Sequence, residues 1–211
     1  IETFMEGYRE LSAQFGVPLL GGDTTSSKDR ITISVTAMGK VPNSCIKHRG
    51  DARVGDVIFV TGELGASAQG LQDLLSNRLD SSFIASHNRP KPFINEGIWL
   101  GEQSTVHAMM DVSDGIASDL GHILHASGCG AEVLVDMMPT NTTVELAVTG
   151  GEDYCLLFTA DAAEASVLQA NYQQTFGTPL YPIGKTIAGD RIVWMENGAV
   201  IHPQWKGFTH F

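Results

Sequence analysis

Asp111-Val112-Ser113-Asp114-Gly115 joins the apolar run Met109–Val112 to a stretch in which Ile116, Leu120, Ile123 and Leu124 share one helical face. A strand that turns through an acid- and glycine-containing corner into a helix is a building unit of layered α/β structure. Similar units lie on either side. Upstream, Val57–Thr61 reads as a buried strand, Gly62 and Gly65 as the corner, and 66–77 as a helix. Downstream, Gly150-Gly151-Glu152-Asp153-Tyr154 leads into a strand at 154–159 and a helix at 161–175 opened by Asp161. Between them the pattern predicts a helix near 93–103, a strand at 131–135 and a short helix near 142–148. Residues 78–92 are polar, contain Pro90 and Pro92, and read as a loop. Two last strands, near 181–187 and 191–195, read as a hairpin around Gly189-Asp190.

The first forty residues read differently. Phe4, Tyr8, Leu11 and Phe15 mark a helix over 2–15 that Gly16 ends. Ile31, Ile33, Val35 and Ala37 alternate with Thr and Ser, so 31–39 reads as a strand. Residues 40–55, rich in Pro, Gly and charge, read as a linker. The expectation is a layered α+β protein of two domains: part of one at 1–42, a complete one at 55–211. The chain opens within a helical pattern and without an initiator Met, which reads as a missing start.

Composition narrows the function. The 211 residues are 43% hydrophobic and 18% charged, which suits a packed core rather than disorder. The apolar runs, such as Val57–Val60, are far too short to cross a bilayer, so no membrane partner is expected. The three cysteines, Cys45, Cys129 and Cys155, are widely spaced and odd in number, which argues against a disulfide framework or a zinc site. A reducing, cytoplasmic setting fits them. A net charge of −11 opposes nucleic acid as a partner. It does not oppose a nucleotide if a divalent metal stands between carboxylate and phosphate.

Three segments combine glycine with acid. Gly21-Gly22-Asp23-Thr24-Thr25 follows the short apolar run Val17–Leu20. Its glycines would let backbone N–H groups approach a phosphate, and Asp23 could hold Mg²⁺; an ordinary turn accounts for the residues more simply. In Asp111–Gly115, Ser113 or Asp114 can cap the following helix, yet capping explains only one of two neighbouring carboxylates. From these residues alone, metal ligation and capping stand level. In Gly150–Tyr154, Glu152 and Asp153 precede a buried strand, and a turn with solvated acids is the plain alternative.

These segments, in this order, resemble the thiamine-monophosphate kinase family. Its pattern is GGDTT, then R-x-G-x-x-x-G-D before a V-x-V-T-G strand, then D-x-S-D-G, then GGEDYELLFT. The counterparts here are Gly21–Thr25, Arg49–Asp56 (with Gly50-Asp51 shifting the glycine), Val57–Gly62, Asp111–Gly115 and Gly150–Thr159, with Cys155 in place of the usual Glu. The tail Gly207-Phe208-Thr209-His210-Phe211 is similar to the family's G-aromatic-x-H-F ending. The resemblance covers nearly the whole chain.

The resemblance implies a PurM-like two-domain architecture. Residues 1–42 would belong to an ATP-binding and dimerisation domain. It implies Mg²⁺- and ATP-dependent phosphorylation of thiamine monophosphate to the diphosphate, by a homodimer. By similarity, Asp23, Asp111 and Asp114 would ligate Mg²⁺. Gly22, Asp23, Arg49, Ser113 and Tyr8 would contact the nucleotide, and Glu152 and Phe208 the thiamine part of the substrate. Tyr8, one residue of a helical apolar face, reads more readily as core, and Arg49 reads equally as a surface arginine beside Lys47 and His48. The family's upstream G-D-D-A segment, which supplies further metal-binding aspartates, has no counterpart here. An incomplete metal set is therefore expected.

The chemistry follows from the acceptor. A phosphate monoester, with a second pKa of about 6, is largely ionised at neutral pH and needs no strong base. No catalytic base is assigned, and none of the seven histidines is placed for one; His122 and His125 fall in a helical stretch. The obstacle is the approach of two anions, which carboxylate-held Mg²⁺ would screen. Two other readings stay open: a sister ATP-dependent enzyme of the same superfamily, of the selenophosphate synthetase, hydrogenase maturation or aminoimidazole ribonucleotide synthetase type, and a non-catalytic remnant. The GGEDY segment and the tail favour the thiamine kinase.

Overall fold

The computed structural model describes residues 1–207. It divides into a unit over 1–41 and a unit from Pro42 onward. In the first, α1 (Glu2–Phe15) ends at Gly16, whose left-handed φ of 64° returns its N–H to Ser12 O. None of its residues is buried. The expected strand at 31–39 does not form, and Ile31, Ile33 and Val35 stay exposed. Alternation describes one face of a strand, but a strand exists only through hydrogen bonds to a neighbour, and none of the described strands pairs with this stretch.

The second unit is built on a seven-stranded sheet in the order β2-β4-β1-β5-β3-β6-β7. Its strands are β1 (Val57–Val60), β2 (Val106–Asp111), β3 (Gly130–Leu134), β4 (Leu156–Ala160), β5 (Tyr181–Ile187), β6 (Ile192–Glu196) and β7 (Ala199–Ile201). All neighbours run antiparallel except β3 and β6. The helices are α2 (Ala66–Leu75), α3 (Phe83–Asn88), α4 (Ile94–Glu102), α5 (Ile116–Ser127), α6 (Val144–Thr149) and α7 (Ala165–Phe176).

Both faces of the sheet are covered, which is why Val57–Val60 reads as an unbroken apolar run. Ile58 and Val60 join Ile116, Leu120 and Ile123 of α5 and Val148 of α6. Phe59 points the other way and stacks on Phe158, with Leu100 of α4 and Leu168 and Tyr172 of α7. Asp56 closes the base of β1 through a buried hydrogen bond, in which His107 Nδ1 lies 2.9 Å from the carboxylate.

Three expectations need correction. The hairpin around Gly189-Asp190 does not exist: β3 lies between β5 and β6 and pairs with both. The true hairpin joins β6 to β7 at Asn197-Gly198, both with positive φ, the type of turn that Asn-Gly favours. The loop at 78–92 contains α3, too short for periodicity to reveal. The stretch read as a linker holds short 3₁₀ turns at Asn43–Cys45 and Arg49–Asp51, and the second packs on the end of α5 through Ser127 Oγ, which donates to Arg49 O.

Candidate functional site

Antiparallel pairing brings three corners to one end of the sheet. Asp111, the last residue of β2, lies opposite Leu156, the first of β4, and Val60, the last of β1, lies opposite Leu157. The segments after β1, after β2 and before β4 therefore meet. Asp111–Gly115 and Gly150–Cys155 are joined directly: Val112 N donates to Cys155 O at 2.8 Å, Tyr154 N to Val112 O at 2.9 Å and Glu152 N to Ser113 O at 2.8 Å. Only glycine permits this at position 151, where a Cβ would stand 2.3 Å from Ser113 O.

The capping explanation for Asp111–Gly115 does not hold as expected, because the N-cap of α5 is Gly115. The bonding runs the other way. Asp119, in the first turn of α5, turns one carboxylate oxygen back to accept from Ser113 N and Asp114 N, both at 2.9 Å. Its side chain is buried, its other oxygen has no partner among the described residues, and burial raises its pKa, reinforced by the charges of Asp114 and Asp111. Sequence reading missed Asp119. A first-turn acid is ordinary, and nothing in its spacing shows that it bonds the preceding turn.

The acids before β4 are not simply solvated. Asp153 accepts from Gly65 N at 2.7 Å and Ser67 N at 3.2 Å, so it clamps the loop to the first turn of α2. Burial pushes its carboxyl up to about 6 despite those donors. Glu152 and Tyr154 both hold positive φ, 65° and 52°. Such non-glycine conformations persist only where surrounding contacts impose them. The Glu152 side chain is half-exposed and meets His87 Nδ1 at 3.3 Å. Beside it a cleft of about 360 Å³ is lined by Glu63, Ala66, Arg89, Lys91, Phe93 and Asp153.

The fold thus assembles Asp111, Ser113, Asp114 and Glu152. Arg49 lies elsewhere in the unit, against Ser127 at the far end of α5. A helix of 12 residues separates it from the carboxylates, about 18 Å of axial rise. Tyr8, Gly22 and Asp23 belong to the first unit, where Asp23 accepts from Thr24 N at 2.8 Å. Phe208 is outside the described residues. No group of three or more His, Cys, Asp or Glu side chains poised to hold a metal occurs among the described residues. The all-carboxylate pair Asp111 and Asp114 nonetheless suits Mg²⁺, which is commonly held by one or two carboxylates together with phosphates and water.

Comparison with known proteins shows the family and the fold. Residues 53–195 match the family model for the C-terminal domain of AIR synthase related proteins, and residues 1–41 match the N-terminal domain. The chain is 35% identical to the thiamine-monophosphate kinase of Salmonella typhimurium, over all of this chain and 69% of that protein. The chain belongs to the thiamine-monophosphate kinase family. The Bacillus subtilis kinase is 32% identical, with all of this chain and 70% of that protein covered. Among solved structures, a thiamine-monophosphate kinase from Stenotrophomonas maltophilia matches 76% of this chain and 56% of its own, at a TM-score of 0.67 and 29% identity. AaThiL complexed with AMPPCP and TMP matches 78% of this chain and 54% of its own, at a TM-score of 0.62 and 30% identity. Escherichia coli HypE, a hydrogenase maturation protein, shares the fold at 17% identity and a TM-score of 0.66. Thiamine-monophosphate kinases are phosphotransferases. No helix among the described residues of this family member is long and apolar enough to cross a membrane.

Proposed function

We propose that this chain supplies the thiamine- and metal-facing part of a kinase that transfers the γ-phosphate of ATP to thiamine monophosphate. The observation that carries the reading is the joining of the Asp111–Gly115 and Gly150–Tyr154 segments at one sheet end. It brings the segments that carry Asp111, Asp114 and Glu152 into direct backbone hydrogen bonding, which supports their acting at one site. Support also comes from the likeness to AaThiL, whose solved complex holds AMPPCP and TMP.

Asp111 and Asp114 would hold Mg²⁺, which when bound supplies charge neutralisation between the two phosphate groups. Ser113 would contact ATP, and Glu152 would receive the thiamine part. Asp119 keeps the Ser113–Asp114 backbone in place through its paired bonds. No side chain need abstract a proton, because the acceptor phosphate is already ionised. Tyr8, Gly22 and Asp23, in the AIR-synthase-type N-terminal part, would add nucleotide and metal contacts, and Phe208 would face the thiamine rings. Residues 1–42 then belong to an N-terminal ATP-binding and dimerisation domain and 55–211 to the C-terminal domain. A cytoplasmic homodimer completes the reading, and sedimentation of the full-length gene product tests the dimer.

The deciding assay is chromatographic detection of thiamine diphosphate from thiamine monophosphate, ATP and Mg²⁺. Product that requires all three is expected from the full-length gene product. Absence of product there overturns the reading.

A further inference from the structure

Helix α3 brings one more side chain to the substrate-facing loop. Gly70, inside α2, lets α3 approach so closely that a Cβ there would stand 2.3 Å from Phe83 O and 3.0 Å from His87 Cβ. Asp73 fastens the connection by accepting from Gln69, Arg78 and Ser81. A helix of six residues has little stability of its own, so these contacts hold α3 in place. The result is that His87 Nδ1 lies 3.1 Å from the buried Ser67 Oγ and 3.3 Å from Glu152 Oε2.

A serine, a histidine and a carboxylate together suggest a nucleophilic relay, but the geometry excludes it. Ser67 and Glu152 meet the same ring nitrogen, whereas a relay needs one on each nitrogen. A carboxylate only accepts, so attraction between Glu152 and this nitrogen requires the hydrogen on Nδ1, where the Ser67 oxygen accepts it and Glu152 lies within ion-pair range. We propose that His87 is a positioning residue: its ring, hydrogen-bonded to Ser67, keeps Nδ1 against one oxygen of Glu152 and leaves the other directed to the thiamine moiety of the substrate. This rests on the reading of Glu152 as a substrate contact. A free glutamate side chain has among the largest rotamer entropies, and Glu152 projects from a left-handed backbone position with half its side chain in water. An anchored carboxylate loses less entropy on binding.

The test uses the full-length gene product, with thiamine monophosphate affinity read by calorimetry and KM and kcat read by the chromatographic assay. His87→Ala is expected to weaken thiamine monophosphate about threefold to fivefold, the scale of one partly exposed ion-pair contact. The KM for ATP should stay unchanged, while the unfolding midpoint falls modestly because the buried Ser67 hydroxyl loses its partner. His87→Asn, whose amide nitrogen can occupy the Nδ1 position, should restore most of the affinity, and His87→Gln should not. A merely structural histidine would weaken both substrates together, or show no difference between Asn and Gln, and either result overturns the proposal. Glu152→Gln separates the two claims. If it leaves thiamine monophosphate affinity unchanged, the role of Glu152 is wrong and the proposal falls with it. If it weakens affinity while His87→Ala does not, the proposal alone fails.

Discussion

Replacing Asp153 by Asn should change how stability depends on pH. The Asp153 carboxyl is drawn in two directions, since Gly65 N and Ser67 N favour its charged form and burial favours the neutral one. Burial wins, and the pKa rises from the ordinary 3.8 to about 6. Between those values the folded protein keeps a proton that the unfolded chain has released. The extra stability is therefore complete below 3.8 and disappears as pH rises through about 6. The full span corresponds to ~3 kcal/mol. About 1.4 kcal/mol of it falls between roughly pH 5 and 7.5, which urea titrations at constant ionic strength can resolve. Asn is neutral throughout and still offers an oxygen to one N–H. The stability of Asp153→Asn relative to the parent should therefore climb by about 1.4 kcal/mol across that range, with an unchanged m value. A difference that stays flat from pH 5 to 7.5 would refute the claim that burial dominates at this carboxyl.

Other substitutions probe the joined loops. Asp119→Ala removes the acceptor of two backbone N–H groups and should cost ~3–5 kcal/mol by denaturant unfolding, while Asp119→Asn, which keeps an acceptor oxygen, should cost ~1 kcal/mol; equal losses would contradict the bonding described. Gly70→Ala should destabilise by ~2 kcal/mol in spite of alanine's better helix propensity, because its Cβ meets the Phe83 carbonyl. A stabilised variant would show that α3 is not packed this tightly. Asp114→Ala should lower kinase turnover of the full-length gene product by at least ~10²-fold with the fold intact. Unchanged turnover removes Asp114 from the metal site.

Periodicity was enough to locate elements whose patterns are long or strongly apolar. The apolar faces of α1 and α5 and the run Val57–Val60 carry their own signals, since one residue in 3.6 or an unbroken apolar stretch reports burial locally. The motifs likewise carried the family resemblance, because glycine and acid types at set spacings are legible without coordinates. Short or partner-dependent structure was not. Six residues of α3 are less than two turns, and Ile31–Val35 alternate as a strand would yet have no described neighbour to bond. Asn197-Gly198 and Gly189-Asp190 are both ordinary turn pairs, and only the strand pairing shows that the first makes the hairpin.

What the sequence determined by itself is which residue types could do the chemistry: Asp111, Ser113, Asp114 and Glu152, in corners between apolar elements. Only the tertiary structure decided which of them meet. Sheet order is a long-range choice, made by pairing β4 between β2 and β1, and it joined the second and third acid segments. The same packing left Arg49 at the far end of α5, drew in Asp153 and His87, and placed β3 where a hairpin had been expected. Hydrogen bonds between residues tens of positions apart leave no periodic trace in the chain, and so they are visible only once it is folded.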